Sequence, residues 1–370
     1  MRWLRAAAVA WSVIFALLAI AASLSIYTLH NPIDFLSFWA AGRLSVEGTP
    51  ALSYDLASHR ALETSVVAME GVLPFPYPPP FLLIVAPFGF LAFAPSFTLW
   101  VGLTFGTFIG SAILAGGRRG CAFAASHPAI AANSLIGQNG FLTSSILFAG
   151  TALIRRKPKT AGAVLGFLVV KPQLAILVPI ALLAGRHWKA AFSGAASAVC
   201  LLALAAVVLG FDTYRGFLSI IPIYLSYLGD SRWPWNELAS PYAAMRSIGI
   251  DQRIALALHT IVAVCAAALV WRAWEKGSSN RAAILAAAAL LIPPYIFTYD
   301  SLFLALPMMT LASDRAHPMT LAGIWVLCFL PITTYFGWYS GPNTVPLAAI
   351  VCLVLLVHSD PKITEAGVQK

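Results

Sequence analysis

From residue 6 onward the chain runs in long apolar blocks, broken at intervals by short polar stretches that carry Gly, Pro or a basic cluster. Blocks of this kind read as membrane helices rather than as the amphipathic helices of a water-soluble core. They predict an all-α polytopic membrane protein with twelve transmembrane or re-entrant passes, several of them short. The passes fall at about 8 to 28, 79 to 93, 95 to 115, 139 to 154, 160 to 170, 172 to 185, 190 to 210, 253 to 272, 281 to 298, 301 to 314, 317 to 335 and 344 to 358. The first apolar run, 6 to 29, is longer than the roughly 7–15 apolar residues of a signal peptide, so it reads as a retained first span with a cytoplasmic N-terminus. An even number of passes puts the C-terminus on the same side.

The stretch from 160 to 185 tests this topology, because "RRKPK" (155–159) precedes it and "RHWK" (186–189) follows it. A single crossing would leave one basic cluster outside, whereas two short helices meeting at "KPQ" keep both inside. Lys171 then marks the outer tip of a hairpin. On the full topology 14 of the 23 Lys/Arg lie inside, with Arg118 and Arg119 among those outside, and 10 of the 14 Asp/Glu lie outside.

Two outer segments are long, and no further domain is evident along 1–370. The first, 29–78, contains two helical pieces that mix apolar and polar positions, as interfacial helices do. It closes with "LPFPYPPP", read as a stiff extended strap that sets Phe75, Tyr77 and Phe81 at headgroup depth, since Pro78, Pro79 and Pro80 do not fit a regular helix interior. The second outer segment spans 211–252.

Composition agrees with the pattern. The chain is 60% hydrophobic and 10% charged, with a mean hydropathy of +0.83. In such a chain a net charge of +9 reflects cytoplasmic loops and contact with anionic membrane lipids rather than nucleic acid. The five cysteines are spaced neither as a disulfide framework nor as a zinc site, and the histidines lack metal-ligand spacing. No metal or cofactor is called for.

Polar groups in or beside apolar runs are the functional candidates, each with a structural alternative. Asp34 opens "DFLSFWAAGRL", where it could simply cap a helix. Lys171 could snorkel to outer headgroups, but beside Pro172 and Gln173 at a turn it also suits a phosphate. "LIGQNGFL" (135–142) could be a plain turn, or it could present Gln138 and Asn139 to hydroxyl groups. "PPYIFTYD" (293–300) places Tyr295, Tyr299 and Asp300 at the outer face, as an aromatic belt with a cap or as substrate contacts. Arg43 and Arg246 are further phosphate candidates by charge and side. Phosphate-cradling Gly-rich loops, HExxH and GxSxG are absent from the sequence.

In order, "IDFLSFWAAGRL", "FPYPPPFLLIVAPFGFL", "GQNGFL", "RRKPKTAGAVLGFLVVKPQLAILVPIALLAGRHWKA" and "PPYIFTYD" resemble glycosyltransferase family 87, over roughly residues 30 to 310. The family consists of membrane enzymes of the GT-C fold related to polyprenol-phosphate-mannose-dependent mannosyltransferases. The resemblance implies transfer of a sugar, mannose by default, from a polyprenyl-phosphate donor to a hydroxyl of a lipid-linked or glycan acceptor. The reaction would be inverting and would face the exterior of a bacterial inner membrane. Asp34 matches the family's general base, Lys171 would meet the donor phosphate, and Tyr77 and Gln173 fall in its substrate-binding motifs. Some relatives carry histidine where this chain has Tyr295. A transporter or flippase of a lipid-linked sugar is the competing expectation, although it should show matching halves, and segment 29–78 has no counterpart in the second half. A non-catalytic scaffold would have no use for the outer acid and the intramembrane lysine.

Overall fold

The computed structural model describes residues 33–227, 234–314 and 316–364; the predicted first span, 8 to 28, lies outside them. The helices that position the site are α1 (Phe35–Val46), α2 (Leu56–Val66), α3 (Pro79–Val85), α4 (Phe93–Ala124), α5 (Ala129–Ile136), α6 (Gly140–Leu153), α7 (Pro158–Gly166) and α8 (Leu177–Ala184). They are followed by α9 (Trp188–Leu209), α10 (Phe211–Tyr227), α11 (Gln252–Glu275), α12 (Arg281–Ala289), α13 (Ala305–Ser313), α14 (Pro318–Phe329) and α15 (Val345–His358).

Among the described residues four helical stretches are long and apolar enough to cross a membrane: Phe93–Ala124, Trp188–Leu209, Gln252–Glu275 and Pro318–Tyr335. Outward-facing Phe192 and Val207 on α9, 73% and 83% exposed, make sense only against lipid. The other apolar helices are shorter, including Gly140–Leu153 and Pro158–Val170. They are short because they stop at polar turns, which membrane proteins tolerate where the turn is enclosed by protein.

The predicted hairpin is present. α7 and the 3-10 turn Phe167–Val170 run up to Lys171, and the one-turn helix Pro172–Ala175 and α8 run back. Both basic clusters lie at the far end, where His187 is close enough to Arg155 and Arg281 to interact electrostatically. One arm is held by close helix packing. Gly162 and Gly166, one helical turn apart on α7, face Ala190 and Gly194 of α9 so closely that a Cβ on either would strike backbone. We expect Gly162→Ile to lower the thermal stability of the detergent-solubilised protein markedly, and Gly106→Ile, where an added Cβ would meet nothing within 4 Å, to leave it nearly unchanged.

Two expectations for the first half are corrected. α4 was expected to run opposite to α6, but the two are parallel. Trp100 Nε1 donates to the Gly137 carbonyl at 2.8 Å, the Phe105 and Phe141 rings lie 5.3 Å apart, and the Phe108 and Phe148 rings 5.8 Å apart. Leu114 then borders the same cavity as Ile154 and Arg155. The return leg comes from residues 118 to 136, after a sharp non-helical break at Gly117, where φ is 64°. Arg118 and Arg119 therefore sit at the end of the molecule that holds the basic clusters. The stretch 79–93 does not supply a crossing: Phe81 and Phe88 both pack on Trp100, at 6.1 and 5.3 Å, so α3 and the turn after it wrap the start of α4.

The second correction concerns the outer segment. α1 does not lie on a surface: nine of its residues are buried, and Phe35 and Phe38 pack among Phe93, Phe97, Tyr77, Phe81 and Trp100. Phe75, Tyr77 and Phe81 are buried inside the protein and do not face lipid headgroups. Pro79 and Pro80 do enter a helix, but in its first turn, where a missing N–H costs nothing.

Candidate active site

Four breaks in the apolar pattern converge on the end of the molecule that carries the Lys171 turn. Asp34 stands at the start of α1, yet its side chain makes no cap hydrogen bond. Instead Oδ2 accepts from Gln138 Nε2 at 2.8 Å. Gln138 is fixed in turn, because its Oε1 accepts from Tyr77 OH at 3.3 Å and from the Asn139 N–H at 3.2 Å. Two donors on that oxygen settle which end of the amide faces Asp34. The Tyr77 carbonyl accepts from Tyr54 OH, which anchors the proline strap.

The neighbouring Asn139 leads to the buried lysine. Lys171 Nζ donates to Asn139 Oδ1 at 3.1 Å and pairs with Asp300 Oδ1 at 2.6 Å, with both side chains almost fully enclosed. The ammonium also lies 4.8 Å from the centre of the Tyr299 ring and 6.0 Å from that of Tyr77. Asp34 and Lys171 are near enough to affect each other electrostatically. Asp300 and Tyr299 are therefore not an outer belt or a cap; they are interior partners of the lysine, and Lys171 does not snorkel. Burying a lone ammonium would be prohibitive, so the chain supplies a carboxylate.

The turn is locked from behind by Asn133 on α5, whose Oδ1 accepts from the Gly140 N–H and whose Nδ2 donates to the Tyr299 carbonyl, at 2.8 and 2.9 Å. Gly137, at φ 70°, lets α5 end against Phe35 and Phe97, where a side chain would not fit. These are ordinary helix-end requirements, and they deliver Gln138 and Asn139 to the site.

Other candidates fall outside this group. Arg43 is half-buried, pairs with Glu47 at 2.6 Å and donates to the Gly89 carbonyl at 3.4 Å. Arg246 lies over Trp235, 5.5 Å from the ring centre, and donates to the Ile250 carbonyl. Tyr295 packs on the cluster of Trp235, Leu238 and Tyr242. Gln173 is half-buried and joins no hydrogen bond of the network. Residues not singled out from the sequence stand close instead. Glu237 is within electrostatic reach of Asp34, and Tyr335 of Asp34, Glu237 and Asp300. Glu237 is brought in by backbone pairing: Leu238 bridges to Phe297, and Thr298 Oγ1 donates to the Glu237 carbonyl at 2.8 Å. Asn343, just before α15, donates to Thr298 Oγ1 at 2.7 Å and secures that strap. The only hint in the sequence was that Glu237 is an acid in an outer segment rich in aromatics.

Asp34 lies ahead of α1, outside the membrane-spanning helices. Burial pushes its carboxyl above the usual carboxylate range, while the Gln138 hydrogen bond and the Lys171 charge pull it partly back. If Asp34 must be ionised to act, activity falls as pH drops through this raised value. Gln138→Leu removes a donor to the charged form, so the acid limb of the pH–rate profile should move to higher pH, which initial rates across pH would show.

The profile of glycosyltransferase family 87 matches residues 75–294, more than half of the chain. Tyr77, Gln138, Asn139, Lys171, Gln173 and Arg246 lie within the match; Asp34, Arg43, Tyr295, Tyr299 and Asp300 lie outside it. No curated protein and no solved structure matches the chain. With that match in place of the transporter expectation, the chain belongs to glycosyltransferase family 87, and it is a membrane glycosyltransferase.

Proposed function

We propose that the protein transfers a sugar, mannose in the first instance, from a polyprenyl-phosphate donor to an acceptor hydroxyl with inversion, on the outer side of a bacterial inner membrane. The observation that carries this reading is the single hydrogen-bonded series from Asp34 through Gln138 and Asn139 to Lys171 and Asp300. It joins an acid and a cation that are far apart in the chain, at the end of the molecule opposite the basic clusters.

In the proposed mechanism Gln138 holds Asp34 Oδ2, leaving Oδ1 to accept the proton of the attacking hydroxyl. The hydroxyl oxygen forms the new bond to the anomeric carbon as the bond to the phosphate oxygen breaks, and the electron pair leaves with the phosphate. A phosphate departs without protonation, so one carboxylate suffices, unlike the two of glycoside hydrolysis. Lys171, oriented by Asp300 and Asn139, stabilises the charge that develops on the departing phosphate. Tyr77, Tyr299 and Glu237 border the region where the sugar must lie, with Glu237 an acceptor for sugar hydroxyls. Arg43 and Arg246, held elsewhere, would contact only outlying parts of a donor.

A donor panel tests the reaction class. Purified protein in nanodiscs, given a membrane lipid extract as acceptor, should use polyprenyl-phosphate sugars and ignore nucleotide sugars at equal concentration. Turnover with nucleotide sugars alone would sink the proposal while leaving the family intact.

A further inference from the structure

The end of the molecule opposite the candidate active site holds a cavity of about 420 Å³ between the inner part of α4, the end of α6 and the start of α12. Leu114, Leu153 and Ile154 form its apolar side, and Arg155, Arg156 and Arg281 its polar side. Arg281 is unusual, being only 9% exposed while its guanidinium rests on the Trp274 ring, 5.0 Å from the centre. Arg155 is close enough to add to the positive field around it.

Among the described residues no carboxylate pairs with Arg155, Arg156 or Arg281. Asp360, which bonds to the lining residues Ser278 and Ser279, is already engaged. Its Oδ2 accepts from Ser278 Oγ, from the Ser279 N–H at 3.1 Å and from Ser279 Oγ at 3.3 Å, and its Oδ1 accepts from the Lys362 N–H at 3.0 Å. The contrast with Lys171 is informative, since that buried cation has a carboxylate at 2.6 Å. A buried guanidinium with another arginine beside it and no carboxylate partner among the described residues calls for an anion from outside the chain. Arginine forks match a phosphate bidentately, and two more arginines stand at the mouth. The apolar side continues onto Leu114, which is 47% exposed along the outer face of α4. Such a site suits an amphiphile, with its charged head against the arginines and its tails along the helix.

We infer that this cavity binds the phosphate head of an anionic phospholipid, with Arg281 as the buried anchor and Arg155 and Arg156 as the outer clamp. The inference does not depend on the reaction proposed above. By holding α4, α6 and α12 together, such a lipid would stabilise the fold in a head-group-dependent way.

The test is thermal unfolding of delipidated protein in a non-ionic detergent, titrated with short-chain phosphatidylglycerol, phosphatidylcholine of the same chains, or inorganic phosphate alone. Phosphatidylglycerol should raise the midpoint saturably, and 1 M salt should weaken the effect. Arg281→Gln should reduce the apparent affinity about tenfold or more. The exposed pair Arg155→Gln/Arg156→Gln, whose side chains make no hydrogen bond or ion pair among the described residues, should reduce it severalfold and serves alone if Arg281→Gln does not fold. Equal stabilisation by phosphatidylcholine, or wild-type affinity in the arginine variants, would overturn the site. Saturation by inorganic phosphate alone would overturn the lipid assignment.

Discussion

Asp34→Asn should abolish sugar transfer, with kcat falling by roughly 10²–10⁴-fold, while the protein keeps its fold and its elution as a single species. The substitution keeps size and shape and still offers an oxygen to Gln138 Nε2. It removes the only feature the mechanism needs from this side chain, the capacity to take a proton at neutral pH. Because Asp34 does not cap α1, little stability should be lost. Donor KM should change less than kcat, since Asp34 acts on the acceptor hydroxyl. A variant that folds and turns over normally would remove Asp34 from the chemistry.

The second large effect concerns Lys171 and Asp300. Removing either charge leaves the other buried and unpaired, at a cost of about 3–5 kcal/mol. Lys171→Met and Asp300→Asn should therefore each lower the unfolding temperature strongly, and their low activity would be uninformative. The double variant separates the two roles. With both charges gone most of the stability should return, yet transfer should remain low, because the departing phosphate has lost its cation. Recovery of activity along with stability would make the pair structural.

The two predictions draw on parts of the site that were legible to different degrees. Gln138, Asn139 and Lys171 could be found because each interrupts an apolar run, and an interruption at membrane depth must be enclosed and satisfied. The Lys171 hairpin followed from basic clusters on both sides of one apolar stretch. Asp300 was visible, but its role was not: read locally it capped a helix, whereas a lone acid and a lone lysine in separate apolar runs are better read as a pair. Glu237 was out of reach, because it arrives through irregular backbone paired with residues 296 to 298, which no periodicity encodes.

The fold shows the same division. Helix positions followed hydropathy, so that 253 to 272 appears within Gln252–Glu275 and 344 to 358 as Val345–His358. Direction did not. Hydropathy gives no sign that 79–93 folds around Trp100 instead of crossing, and the reversal at Gly117 is hidden in "AGGRRG", where three glycines and two arginines read as an ordinary loop. The paired Arg118 and Arg119 were the usable clue, since the positive-inside rule favours the side on which the structure places them, with the basic clusters.

The central claim, an Asp34-dependent transfer from a lipid phosphate, is tested most directly by one assay. Wild-type protein and Asp34→Asn in nanodiscs are each given a radiolabelled polyprenyl-phosphate mannose and a membrane lipid extract, and label is followed from donor to product. The account predicts labelled product with the wild type, none above background with the variant, and equal donor binding by both. Equal product from both proteins, or donor consumed only by wild-type-independent hydrolysis, would contradict it.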